Sequence, residues 1–194
     1  MVATVAVFFD FGGTDTSPAT QQDTSALGPP NLRFKTADDA TIDNQNPIPI
    51  PNTGSVNSFW KQIYLKVTGG TFTQIDNVKF YTDGSGFGTG ITTYVGDEMP
   101  TKNSGSSAGY EVATGTAGSD GDEIVADHAG ISAKTDAFTY TSGAPKSVSI
   151  SESGSLMDAV GETTNYLVFQ MNVASTAGPG NLADETWTYQ YDEI

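Results

Sequence analysis

Two stretches of the chain alternate strictly enough to set its class. In Ser58–Val67, Phe59, Ile63, Leu65 and Val67 fall on one face and Trp60, Gln62, Tyr64 and Lys66 on the other, with Lys61 the one polar residue on the apolar side. In Tyr166–Ala174, Leu167, Phe169, Met171 and Val173 share one side, and Tyr166, Val168, Gln170 and Asn172 the other. A period of two puts successive side chains on opposite faces of a pleated strand, whereas a helix requires a period near 3.6. Shorter segments of the same kind recur at Val2–Phe11, Leu32–Thr36, Asn77–Thr82, Ile91–Val95, Tyr110–Thr114, Ala137–Tyr140, Ser147–Ile150 and Thr186–Tyr191. Clusters of Gly, Pro, Asn and Asp separate them, which predicts strands joined by turns. Only Ser155–Val160 reads as a short helical turn.

Composition agrees with an all-β chain. The 26 Thr and 22 Gly favour strands and turns, because Thr is β-branched and Gly supplies turn conformations at positive φ. At 194 residues the chain is long enough for one domain with its own core, residues 1–194. About ten short strands predict an antiparallel two-sheet sandwich of jelly-roll or related Greek-key type, with a closed barrel as the alternative. Two segments near the N-terminus, 12–30 and 38–53, are rich in Thr, Ser, Pro and Asp, and we read them as long irregular arms. Asn46-Pro47-Ile48-Pro49-Ile50-Pro51 places proline at every second position, an extended path that cannot donate to a central sheet ladder.

Charge excludes several functions. There are 23 Asp plus Glu against 8 Lys plus Arg, a formal net charge of -15, and Arg33 is the sole arginine. Proteins that neutralise phosphates need clustered cations, so neither nucleic acid nor an anionic membrane is an expected partner. The absence of cysteine removes disulfides, thiolate metal sites and a Cys nucleophile. No basic residue precedes the apolar run Val2–Phe11, and the run has the length of a strand, so we expect no export signal.

Catalytic patterns are sparse, and we expect no enzyme. The one histidine, His128, lies in Asp127-His128-Ala129-Gly130 and reads as a surface or turn residue; no nucleophile elbow accompanies it. Gly84-Ser85-Gly86-Phe87-Gly88-Thr89-Gly90 could offer amides to an anion, but β-rich sequence follows instead of a helix, so it reads as an inter-strand loop. Asp120, Asp122, Glu123 and Asp127 form the densest acidic cluster, a candidate site for a structural divalent cation such as calcium. Asp38, Asp39 and Asp43 form the next; no other cofactor is expected. Trp60 and Tyr64 share one strand face, and Trp187, Tyr189 and Tyr191 share another. Such stripes serve as core, subunit interface or sugar-stacking platform, and position alone leaves all three open.

Four segments carry a resemblance: Asn31-Leu32-Arg33-Phe34-Lys35-Thr36-Ala37-Asp38; the alternating prolines running into Ser58-Phe59-Trp60; Asn77-Val78-Lys79-Phe80-Tyr81-Thr82-Asp83-Gly84; and the closing Glu185–Ile194. Together they resemble small structural proteins of tailed-bacteriophage virions. The resemblance implies a capsid decoration (cement) protein or another head or tail accessory, assembled in the host cytoplasm. Its partners would be the major capsid protein or other virion proteins, and a homo-oligomer, a trimer at threefold positions, is the expected assembly. The two arms would then order on neighbouring subunits. The competing reading is a carbohydrate-binding or adhesive sandwich that uses the exposed aromatic residues.

Overall fold

A computed structural model describes residues 2–28, 31–99, 107–150 and 155–194. The strands are β1 (Ala3–Thr14), β2 (Ser17–Asp23), β3 (Ser55–Asn57), β4 (Lys61–Gly70), β5 (Ile75–Thr82), β6 (Ile91–Gly96), β7 (Gly115–Thr116), β8 (Asp120–Gly121), β9 (Lys134–Asp136), β10 (Lys146–Ser147), β11 (Leu167–Ala174) and β12 (Trp187–Glu193). One short helix, α1 (Ile124–Asp127), interrupts them. The larger sheet has seven strands in the order β2-β1-β4-β11-β6-β9, with β3 also pairing β11; a second sheet runs β10-β5-β12, and β7 and β8 form a small ribbon. Every ladder is antiparallel, and neither of the two main sheets closes into a barrel.

The two most regular segments of the sequence sit at the centre of the larger sheet. β4 and β11 pair with Ile63 opposite Leu167 and Lys61 opposite Phe169. Both of their faces are covered. Ile63, Leu65, Val67, Leu167 and Phe169 join Phe9 and the second sheet's Ile75, Val78 and Phe80 in a first core cluster. Tyr64, Tyr166 and Val168 point the other way, into a second cluster with Phe59, Trp60, Tyr110, Ile124 and Ile131. Each large apolar side chain fully buried this way contributes roughly 1.5–3 kcal/mol.

Several expectations are corrected. Residues 12–30 do not form an arm: 12–14 complete β1, and β2 folds back on it as a hairpin with Gly13 opposite Pro18. Gly13 has φ +83, and a Cβ there would lie 2.3 Å from the Ser17 carbonyl oxygen, so this turn needs glycine. β2 is an edge strand with largely exposed side chains, and Pro18 is tolerated there because an edge leaves one set of amides unpaired. Pro29 and Pro30, the end of the expected arm, lie outside the described residues. Residues 38–53 carry no regular element, as expected, but they are anchored to the domain: Thr36 N–H donates to Asn46 O at 2.9 Å, and Lys35 reaches Asp43.

Leu32–Thr36 and Tyr110–Thr114 form no strand; scattered backbone hydrogen bonds hold them instead of a continuous ladder, among them Phe59 N–H to Lys35 O at 3.1 Å and Thr16 N–H to Tyr110 O at 2.8 Å. Ala137–Thr139 winds into a single 3-10 turn capped by Asp136, whose carboxylate accepts from Phe138 N–H at 3.0 Å. Ser147–Ile150 is a strand only at Lys146–Ser147. Of Ser155–Val160, Ser155 lies in a 3-10 turn and the rest forms no helix; Met157 bridges Ile75 instead. The helix falls at Ile124–Asp127, where the Glu123 carboxylate accepts from the N–H groups of Val125 and Ala126, each at 3.0 Å.

Candidate functional site

Three buried polar clusters and one apolar cleft are the places where chemistry or recognition could reside. The first cluster is built on Asp10 of β1, 2 % exposed, whose carboxylate accepts from Tyr64 Oη at 2.8 Å and Tyr166 Oη at 2.6 Å. Burial and the adjacent carboxylate push both phenols far above their ordinary range, which keeps them protonated donors. The geometry ties β1 to β4 and to the residue preceding β11.

The second cluster corrects the reading of His128. Far from the surface, it is 3 % exposed at the C-terminal end of α1, tilted against Trp60 with ring centroids 5.5 Å apart. With the proton on Nε2, the imidazole donates to Gln62 Oε1 at 2.9 Å, and Nδ1 accepts from Gly130 N–H at 3.3 Å. Burial pushes its pKa down to about 4, against the pull of the Asp15 carboxylate; a Glu111 oxygen lies 3.2 Å from Nδ1. Glu111 itself is raised, chiefly by burial. Among the described residues no serine or other nucleophile is hydrogen-bonded to the ring, and the cluster fastens α1 to β4 and to Glu111.

The third cluster uses the Asp38, Asp39 and Asp43 group, but with lysines in place of a cation. Lys35 lies 2.9 Å from Asp39 and 3.1 Å from Asp43. Lys61, fully buried, donates to Ala37 O at 3.3 Å and Asp39 O at 3.0 Å, and desolvation lowers its pKa to about 8. Asp38 accepts from Gly12 N–H at 2.7 Å, and burial raises its pKa.

The acidic residues 120–127 do not converge either. Asp120 accepts from Asn57 N–H at 2.7 Å and Asp127 from Glu123 N–H at 3.0 Å, while Glu123 caps α1 and pairs with Lys134. Asp122 contributes its backbone oxygen to Gln170. Among the described residues, no group of three His, Cys, Asp or Glu side chains could hold a metal ion.

The aromatic stripes separate. Trp60 and Tyr64 are core residues at 2 % and 0 % exposure, on the far side of the larger sheet, so they cannot form a platform with the last strand. Trp60 Nε1 is already committed to Glu111 O at 3.0 Å. Trp187, Tyr189 and Tyr191 are half-buried and pack on the first cluster from β12. Trp187 stacks 4.6 Å from Phe169 and lies 5.7 Å from Phe80 and 5.8 Å from Phe34, between ring centroids.

These rings border a cleft of about 880 Å³, within the size range of binding pockets. It opens where the three-stranded sheet fails to cover the seven-stranded one. Its floor is Ile63, Phe169, Met171 and Val173; Trp187 and Tyr189 line one wall; segments 31–34 and 47–50 and the connection 177–186 form the rest. Ile48 and Ile50, the two isoleucines between the alternating prolines, both line it. Arg33 and Phe34 fall in the expected strand Leu32–Thr36, but alternation does not say that they line a cleft, and Leu182 lies in no alternating segment.

No protein-family model, curated protein or solved structure matches the chain. Function therefore has to be argued from the geometry above.

Proposed function

We propose that the chain is a non-enzymatic structural protein of a phage virion, decorating and stabilising the outer surface of the capsid. Its two sheets, sharing the first core cluster, are read as a sandwich of jelly-roll or related Greek-key type. The observation that carries the proposal is the open apolar cleft: a large cavity whose floor is aliphatic and aromatic offers a docking surface. The net charge of -15 supports an outward orientation, because packaged DNA would repel such a surface. The test is purification of intact particles. A decoration protein remains at a fixed copy ratio to the shell protein, and absence from washed particles overturns the reading.

One observation favours a second function. Trp187 borders the cleft beside Phe34, an arrangement that suits stacking on a sugar ring, though without Trp60 and Tyr64. Carbohydrate binding predicts retention of the isolated protein on polysaccharide and its loss in Trp187→Ala; a decoration protein shows neither.

A further inference from the structure

The cleft has a feature that a simple pocket lacks: one of its walls is an unpaired sheet edge. β12 hydrogen-bonds β5 along one side, with Trp187 opposite Thr82 and Tyr189 opposite Phe80. Among the described residues no strand pairs its other side. Exposed edges are usually blunted by proline, lysine or shortness. β2 carries Pro18, while β9 and β10 have three and two residues. β12 has seven residues with neither proline nor lysine; a register shift between Gln190 and Asp192 and the acidic pair Asp192 and Glu193 blunt its far end, so the open ladder is Trp187–Gln190, whose Trp187 and Tyr189 face the core beside the cleft.

The surrounding segments leave backbone unpaired as well. Residues 178–186, which cross from β11 to β12, make no backbone hydrogen bond among those described, and Leu182 is exposed on them. A cleft with an aromatic wall, a partly exposed apolar lining at Ile48, Ile50 and Leu182 and a free ladder is a template for an extended chain: the ladder supplies main-chain hydrogen bonds and the lining takes alternate side chains.

Charge selects the occupant. The charged residues lining the cleft are Asp184 and Glu185 against Arg33, and Asp83 lies close enough to Glu185 to act on it electrostatically. A second copy of the chain would bring its own charge of -15 to this acidic rim, which argues against self-association here.

We propose that the cleft receives an extended segment of another protein, apolar at alternate positions and basic between them, which pairs with the free edge of β12. The inference rests on the virion reading only in naming the partner as a separate protein; the docking chemistry stands on the cleft.

The probes are two ten-residue peptides, one alternating Val and Lys and the other alternating Val and Glu, titrated into the full-length protein at low salt. The expected result is binding of the Val/Lys peptide at least tenfold tighter than its Val/Glu counterpart, with new hydrogen-exchange protection at backbone amides in 187–190. The double variant Asp184→Lys, Glu185→Lys, checked for an unchanged denaturation midpoint, should reverse the preference. No binding, equal binding of both peptides, protection confined to other strands, or a concentration-dependent dimer in place of peptide binding each overturns the proposal. Particle association reads the other question: protein retained on particles without peptide binding sinks the cleft assignment alone. Peptide binding without particle association sinks the virion reading alone.

Discussion

The two faces of the seven-stranded sheet are built from the same two strands and end in opposite conditions. On one face Tyr64, Tyr166 and Val168 are covered by residues 110–131, and most polar groups buried there are paired, Gln62 Nε2 excepted: Asp10 of β1 with two tyrosines, and His128 of the cover with Gln62 Oε1 and Gly130. On the other face the three-stranded sheet covers Leu65, Val67 and Leu167, while the cleft lies over Ile63, Phe169, Met171 and Val173, which are themselves buried and reached only past its partly exposed lining. Both faces present apolar surface, so hydrophobicity does not distinguish them. The difference lies in the polar groups: a closed face must pair its buried donors and acceptors, whereas an open face can leave backbone to water until a partner arrives.

The strongest way to break that comparison is to remove the carboxylate at the centre of the closed face. Asp10→Ala removes the carboxylate that accepts from both the Tyr64 and Tyr166 hydroxyls in a buried site, and each lost buried hydrogen bond of this kind costs roughly 1–3 kcal/mol. A loss of about 2–6 kcal/mol is expected in urea denaturation. A loss below about 1 kcal/mol would mean that the closed face is held by apolar packing alone.

Lys61, at the junction of the larger sheet and segment 37–39, tests the same idea through pH. Its folded pKa is about 8 against 10.5 for an unperturbed lysine. Between those values the unfolded chain holds a proton that the folded chain has released, so stability rises with pH, and below pH 8 the cost of the buried charge is fully present. The gain is about 2 kcal/mol by pH 10. Above pH 10 the sign reverses, because tyrosines ionise in the unfolded chain while the buried phenols resist. The denaturation midpoint should therefore peak between roughly pH 9 and 10, and Lys61→Met should abolish the rise.

His128 works in the opposite pH range. The unfolded imidazole titrates near 6.5 and the folded one near 4, so below pH 6.5 the unfolded chain takes up a proton that the folded chain refuses. Stability attributable to this residue is lost as pH falls from 6.5 to 4. The window corresponds to on the order of 3 kcal/mol, nearer 2 kcal/mol once solvent screening and the facing Glu111 carboxylate are allowed for. Denaturation at pH 7 and pH 4 for the wild type and His128→Gln checks it: an identical fall in both would show that the imidazole has no part in acid sensitivity.

How much of this was legible depends on what sets each feature. β4 and β11 were legible because their alternation is intrinsic to the strand. The same alternation says which residues share a face but not what covers it, which is why Trp60 and Tyr64 could be read as core, interface or platform until the structure placed them in the core. β2 was illegible for the converse reason. Ser17–Asp23 is nearly all polar, and a polar edge strand differs from a loop only in its backbone partners on β1. His128 sits in a polar, glycine-containing stretch, and its burial depends on Gln62, distant in sequence. The cleft is a property of two sheets of unequal width, which no local pattern encodes.

The smallest expected effect is the most discriminating for the open face. Leu182 is a large apolar residue, 36 % exposed, on a connection that makes no ladder hydrogen bonds. Leu65, on the covered part of the same side, is 2 % exposed. Leu65→Ala should cost about 2–5 kcal/mol through lost burial and an unfilled cavity, while Leu182→Ser should stay within about 0.5 kcal/mol of the wild type. If the cleft is a docking surface, Leu182→Ser nevertheless weakens binding of the Val/Lys peptide several-fold, because it removes apolar contact made only with the occupant. A Leu182→Ser protein that loses stability like Leu65→Ala would show that segment 177–186 completes the core, and the two faces of the sheet would then be alike.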